Sequence, residues 1–265
     1  MTLSPEDLDA LADAVRRLEC PSAAIKLANT IGTPIEKAVA MLPARSKELI
    51  QAAARNAIEK CLHLALRTID AHPRKRSSDR LHKAATLVSG AIGGSFGIAA
   101  LAAELPLSTT IMLRSIADIG RSEGENLADP EAHLACLEVF ALGGPAAGDD
   151  SAEVGYYAVR AALAQTIQRA AAFISERGFI EAGAPPIVRL VTAVASRFGV
   201  AVSEKAALQA VPVVGAVTGS AVNWIFIEHF QNVGRGHFVI RRLERKYGAE
   251  AVRAAYEHEK KLLIC

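Results

Sequence analysis

Apolar residues recur along this chain at spacings of three and four rather than two, which predicts helix throughout and no strand. Near the N-terminus, Ser4-Pro5-Glu6-Asp7 joins a capping side chain, a proline at the first helical position and two acids in the first turn, ahead of Leu8, Leu11, Val15 and Leu18. From Pro43 to Ala71 a long amphipathic pattern places Leu49, Ala53, Ala57, Cys61 and Leu64 on one side and Arg55, Glu59 and Lys60 elsewhere, ending before His72-Pro73. The Gly143-Gly144-Pro145 to Asp150 stretch breaks the chain, Ser151 to Arg177 reads as another long helix, and Gly183 to Pro186 and Gly199 divide the remainder into shorter ones.

Two stretches depart from amphipathic alternation. Ala84 to Ala103 is twenty uncharged residues holding Gly90, Gly93, Gly94 and Gly97; Ala206 to Ile227 is twenty-two, with Pro212, Gly215 and Gly219. Each is about long enough to cross a bilayer, since ~20 helical residues span ~30 Å. Glycines four apart also strip one helix face and let another backbone approach. Core helices of a bundle, peripheral or re-entrant membrane contact, and spanning helices all fit this composition. Cations stand beside each stretch: Arg74, Lys75, Arg76, Arg80 and Lys83 before the first, and Arg235, Arg241, Arg242, Arg245 and Lys246 after the second.

Composition narrows the classes. At 265 residues the chain can bury a core without staples, and 51% apolar against 22% charged residues excludes disorder. A formal charge of +2 leaves no global footprint for nucleic acid. Cys20, Cys61, Cys136 and Cys265 are widely spaced without a C-x-x-C pair, so reduced thiols in a cytoplasmic protein are expected. No secretory leader pattern opens the sequence.

Three constellations carry candidate chemistry. Gly93-Gly94-Ser95-Phe96-Gly97 matches G-x-S-x-G, but lacks the strand-to-helix context a nucleophilic serine needs. Ser108 or Thr109 is placed to cap a helix on which Arg114 and Asp118, four apart, share a face and pair. In Asn223 to Phe238, His229 and His237 fall eight apart on one side of a helix, and with Glu228 or Glu123 such imidazoles could ligate zinc or iron, although nothing in the spacing is diagnostic. No catalytic residue, metal or cofactor is therefore assigned. The hypothetical polar cluster for a ligand is Arg114, Asp118, Asn223, His229, Arg235 and His237.

These blocks carry a resemblance. Leu105-Pro106 through Ser108-Thr109-Thr110, Ile116 to Ile119, Glu123-Gly124-Glu125, Cys136 to Gly144, Val211 to Ala216, Asn223, His229-Phe230-Gln231, Arg235 to Phe238 and Arg241 to Gly248 together resemble the bacterial EcsC family over about residues 45 to 255. That family is named from a gene neighbouring ABC exporter components, so the resemblance implies an ABC-type membrane protein as a partner, and it carries over no catalytic residue. The expected architecture is an all-α single bundle with the two glycine-rich segments as central helices, residues 1–42 forming a helical extension and 43–265 the EcsC-like domain. The leading functional expectation is a non-enzymatic cytoplasmic protein, peripheral on the inner membrane. It would meet an anionic membrane surface or a membrane protein through Arg74, Lys75, Arg76, Arg80, Lys83, Arg241, Arg242, Arg245 and Lys246. The alternatives are a binding module for an acyl chain or other apolar molecule within the bundle and, last, a metal- or serine-dependent hydrolase.

Overall fold

The computed structural model describes residues 3–20, 35–68, 97–144, 155–177, 183–210 and 219–263, and every regular element among them is a helix. In chain order these are α1 (Pro5–Glu19), α2 (Ile35–Ala40), α3 (Ala44–Thr68), α4 (Gly97–Ser122), α5 (Pro130–Leu142), α6 (Tyr156–Arg177), α7 (Pro185–Ala210), α8 (Gly219–Tyr247) and α9 (Ala249–Leu262). Helix α1 starts as its sequence predicts: the Ser4 hydroxyl accepts the Asp7 backbone N–H at 3.3 Å and Pro5 opens the first turn.

At the centre lies α5, buried at every position from Ala132 to Ala141 and packed against α3, α4, α6, α7 and α8. Phe140 from α5, Phe198 from α7 and Phe226 and Phe230 from α8 form one aromatic cluster, with the Phe140–Phe198 and Phe226–Phe230 centroids each 5.1 Å apart. A second, smaller core joins α1 to α8 and α9: Leu11, Ala14 and Val15 bury against Ile240, Leu243, Val252, Tyr156 and Tyr256. Each fully buried leucine or valine there contributes about 1.5–3 kcal/mol. Gly236 makes that contact possible, because a Cβ on it would stand 2.6 Å from Leu18 Cγ. Gly248 turns α8 into α9 with φ +89°, a conformation side chains rarely adopt.

Several local expectations are corrected. Helix α7 runs unbroken through Gly199, whose missing side chain admits Gln51 of α3: a Cβ there would lie 2.3 Å from Gln51 Oε1. Helix α4 likewise runs through Pro106, so Ser108 and Thr109 cap nothing; their hydroxyls donate back to the Leu105 carbonyl at 3.1 and 2.6 Å. In α3 the inward register starts at Ile50 and continues through Ala53, Ala54, Ala57, Ile58, Cys61, Leu62 and Ala65, leaving Leu49 exposed, because α3 is wedged between α4 and α7 and needs a wide apolar face. The four cysteines are not all thiols. Cys20 is disulfide-bonded, Cys61 and Cys136 are free and buried, and Cys265 lies outside the described residues. Burial pushes both free thiols up to about 12.

Among the described residues, Pro185–Leu208 is a stretch long and apolar enough to cross a membrane, and just over half of it is buried inside the bundle. Ala206 to Ile227 is not one helix. It is divided between the end of α7 and the start of α8, and Lys205 Nζ lies 2.6 Å from Asn223 Oδ1. A continuous helix would hold those residues about 27 Å apart at 1.5 Å each. The end of α7 and the start of α8 therefore meet as separate helices.

Candidate functional site

Helix α8 is a polar spine threaded through an apolar bundle. Down its length Asn223, Gln231 and His237 are buried, and each finds its partner on a different helix, because a buried polar group left unmatched costs about 1–3 kcal/mol. The Gln231 amide donates to Ser115 Oγ of α4 at 2.7 Å. Asn232 Oδ1 accepts from Arg17 Nη1 of α1 at 2.6 Å. His229 Nε2 lies 2.7 Å from the Gly143 carbonyl and so donates to it, while burial keeps this imidazole neutral by lowering its pKa.

The first of three centres along the spine is at its start. Lys205 of α7 is 2% exposed, donates to Asn223 Oδ1 at 2.6 Å and lies 4.9 Å from the Phe226 ring centroid. Asn223 Nδ2 in turn donates to Glu104 Oε1 of α4 at 3.4 Å. Burial lowers the ammonium to about 8, with the Glu104 charge pulling the other way. A cavity of about 30 Å³ adjoins it, lined by Lys205, Phe226, His229, Leu208, Val222 and Glu204 among others.

The second centre is further along. His237, fully buried, has Nδ1 2.9 Å from the Tyr156 hydroxyl of α6 and Nε2 3.6 Å from Glu138 Oε2 of α5. Burial raises the Glu138 carboxyl to about 7, against the nearby charges of Arg160 and Arg241, and burial with those same two cations holds His237 well below its ordinary value. At neutral pH the imidazole is therefore neutral beside a carboxyl in mid-titration.

The third centre is charged and lies at the end of α8. Arg241 and Arg245 grip Glu125; Arg242 contacts Glu123 at 2.8 Å and Asp7 at 3.1 Å; Lys246 and the Tyr247 hydroxyl both donate to Asp7 at 2.7 Å. Nearby, Arg160 makes a two-pronged contact with Glu244 at 2.7 and 3.0 Å. Burial drives the Glu125 carboxyl up, but the hydrogen bonds and charges of Arg241 and Arg245 outweigh it and hold it low. Hydrogen bonds from Lys246 and Tyr247 hold Asp7 below the usual carboxylate range.

The EcsC protein family model matches residues 2–243, most of the chain. The chain belongs to the EcsC protein family. No curated protein and no solved structure matches it. The match begins at residue 2, so α1 lies inside the region this EcsC member shares with its family, whereas the resemblance read from sequence began near residue 45.

In this EcsC-family protein the expected ligand cluster is distributed rather than gathered. Asn223 and His229 belong to the Lys205 end and His237 to the second centre. Arg235 lines a separate cleft of about 240 Å³ with Asp13, Arg17, Ser122 and Glu123, where burial and the Arg17 charge lower its pKa. Arg114 is exposed, and Asp118 pairs with Arg121 at 2.5 Å rather than with Arg114, both partners being shielded against the bundle while Arg114 faces outward. Of the expected cationic surface, Arg241, Arg242, Arg245 and Lys246 are all ion-paired with Glu125, Glu123 and Asp7, which cancels most of their field. Arg74, Lys75, Arg76, Arg80 and Lys83 lie outside the described residues, as does Ser95. His229 and His237 have different protein partners, and no group of three or more His, Cys, Asp or Glu among the described residues is placed to hold a metal.

Lys205, Glu104, Glu138 and Tyr156 escaped the sequence reading. A signal for three of them existed. Lys205 is the last charge before one apolar stretch, Glu104 the first after the other, and Glu138 is a lone acid within the run Leu134 to Leu142. A single charge at the edge of an apolar run or within it is most economically read as a helix end or a surface position, and only the packing shows that Lys205 and Glu138 are buried.

Proposed function

We propose that this EcsC-family protein is a non-enzymatic bacterial helical module that docks peripherally on the inner face of the cytoplasmic membrane, or on a membrane protein there. The docking end is where α4 and α8 begin and α7 ends. One observation carries the reading: the Glu104–Asn223–Lys205 chain of contacts brings those three helix ends together. In sequence, residues 69–96 lead into α4 and residues 211–218 join α7 to α8, so both glycine-rich apolar stretches attach at that one end.

The charge balance supports the same orientation. With the cations of α8 neutralised by Asp7, Glu123 and Glu125, attraction to anionic lipid falls to Arg74, Lys75, Arg76, Arg80 and Lys83, which immediately precede the first apolar stretch in sequence. Near a headgroup layer each is worth about 1 kcal/mol. Apolar stretches flanked by cations at one end of a rigid bundle suit contact from one side of a bilayer.

Flotation of the purified protein with vesicles of phosphatidylglycerol and phosphatidylethanolamine tests this. Binding should fall when Arg74, Lys75, Arg76, Arg80 and Lys83 are all changed to Gln, and the residual binding should resist salt but yield to detergent. Binding to native membranes but not to lipid vesicles would assign docking to a membrane protein. Failure to bind either would refute the proposal.

A further inference from the structure

Between α1, the end of α4 and the middle of α8 lies the cleft of about 240 Å³, lined by Asp13 and Arg17 of α1, Glu123 just past α4 and Arg235 of α8, with Ile119 and Val239 among its apolar walls. At ~30 Å³ for each water-sized group it has room for about eight. The four charged side chains are each only partly buried, so the cleft opens to solvent. It stands about 27 Å along α4 from Glu104, at 1.5 Å per residue, and so away from the end where the apolar stretches attach.

Two charges of each sign line this cleft, and each sign keeps unspent hydrogen-bonding capacity. Arg17 Nε donates to Asp13 Oδ2 at 2.7 Å and Nη1 to Asn232 Oδ1 at 2.6 Å, which fixes the guanidinium plane and leaves its Nη2 hydrogens unengaged among the described residues. Glu123 is held through Oε2 by Arg242 at 2.8 Å, and its Oε1 makes no hydrogen bond among the described residues. Burial, then repulsion from Arg17, lower the Arg235 pKa against the attraction of Asp13, so the two guanidiniums stand close enough for like charge to act between them. An anion beside both relieves that repulsion. A simple anion, however, also meets the charges of Asp13 and Glu123, whereas a small molecule carrying both signs finds a partner for each. A carboxylate supplies two coplanar oxygens, the shape a guanidinium fork matches.

We propose that this cleft binds an α-amino acid with an apolar side chain: Arg17 and Arg235 take the carboxylate, Glu123 and Asp13 the ammonium, and Ile119 and Val239 the side chain. The site does not rest on the docking reading, because it lies away from the docking end and its binding is followed without a bilayer.

Calorimetric titration of the full chain with L-leucine, L-valine and L-methionine tests this. Saturable binding of one molecule of at least one of the three is expected. The matching analogues that lack the amino group or the carboxyl group, isocaproate and isoamylamine in the case of leucine, should each bind at least about tenfold more weakly. Arg235→Gln should weaken the amino acid and its deaminated analogue alike, by about tenfold, whereas Glu123→Gln should weaken only the amino acid. Should either variant fail to fold, the analogue comparison on the wild type decides by itself. Phosphoethanolamine that binds more tightly than all three amino acids would overturn the assignment in favour of a phosphate headgroup. No saturable binding of any of the three, or a deaminated acid that binds as well as its amino acid, overturns the proposal.

Discussion

Replacing Lys205 with methionine should shift the stability of the fold in a pH-dependent way. The side chains have similar length, so packing is nearly conserved while a buried charge disappears. Burial moves the ammonium from 10.5 to about 8, which places the cost of keeping it charged in the folded state at about 3 kcal/mol. Against this, Asn223 Oδ1 loses its donor, at about 1–3 kcal/mol and independently of pH. The net gain at pH 7 is therefore small, and the pH dependence is the diagnostic quantity. Below pH 8 the folded and unfolded chains are both protonated at Lys205, so the wild type carries the whole penalty. Between about 8 and 10.5 the folded state releases its proton first, the unfolded state binds more protons, and wild-type stability rises. Urea unfolding of both proteins at pH 7, 8, 9 and 10 should show the variant's relative stability falling by about 2–3 kcal/mol across that range, with other titrating groups cancelling in the difference. A difference that stays constant from pH 7 to 10 would refute the claim that Lys205 is a desolvated cation.

Glu138→Gln should flatten a slope of opposite sign. With the folded carboxyl raised to about 7 against 4.5, the wild type loses roughly 3 kcal/mol as pH climbs from 4.5 through 7, and chemical unfolding across that window should show no such loss in the variant. Gly236→Ala should cost about 1–3 kcal/mol by forcing a Cβ against Leu18, with faster hydrogen exchange in α1. Two residues away, Gly234→Ala meets nothing nearer than Ile116 at 3.6 Å and should be neutral or stabilising by up to about 1 kcal/mol, so equal effects from the two would contradict the packing account. Dithiothreitol should lower the unfolding midpoint of the wild type, by about 2–4 kcal/mol of stability, and leave Cys20→Ser unaffected.

How far the sequence could be read depended on the range of the interaction involved. The start of α1 is a matter of Ser4, Pro5 and Asp7, neighbours in the chain, and it appears where their order places it. Gly199 and Pro106 misled for the converse reason. Each has a local tendency to end a helix, worth about 1 kcal/mol for glycine and about 3 for proline, and each is overridden by packing: Gln51 occupies the space that Gly199 leaves, and α4 packs along α3. The Arg114–Asp118 spacing permitted an ion pair equally with Arg121, and the bundle chose by shielding Asp118 and Arg121 while leaving Arg114 in solvent.

The helical class, the cap of α1, the two apolar stretches and the family resemblance follow from the order of residues alone, because periodicity and capping act within about one turn or two. Which polar groups meet does not. Lys205 and Asn223 are 18 positions apart, Tyr156 and His237 are 81, and Asp7 and Tyr247 are 240. Whether a lysine is a solvated surface charge or a buried one titrating near 8, and whether four cations form a basic face or a neutralised network, depends on desolvation and on partners supplied by other helices. Those are properties of the packed bundle, and only the tertiary structure decided them.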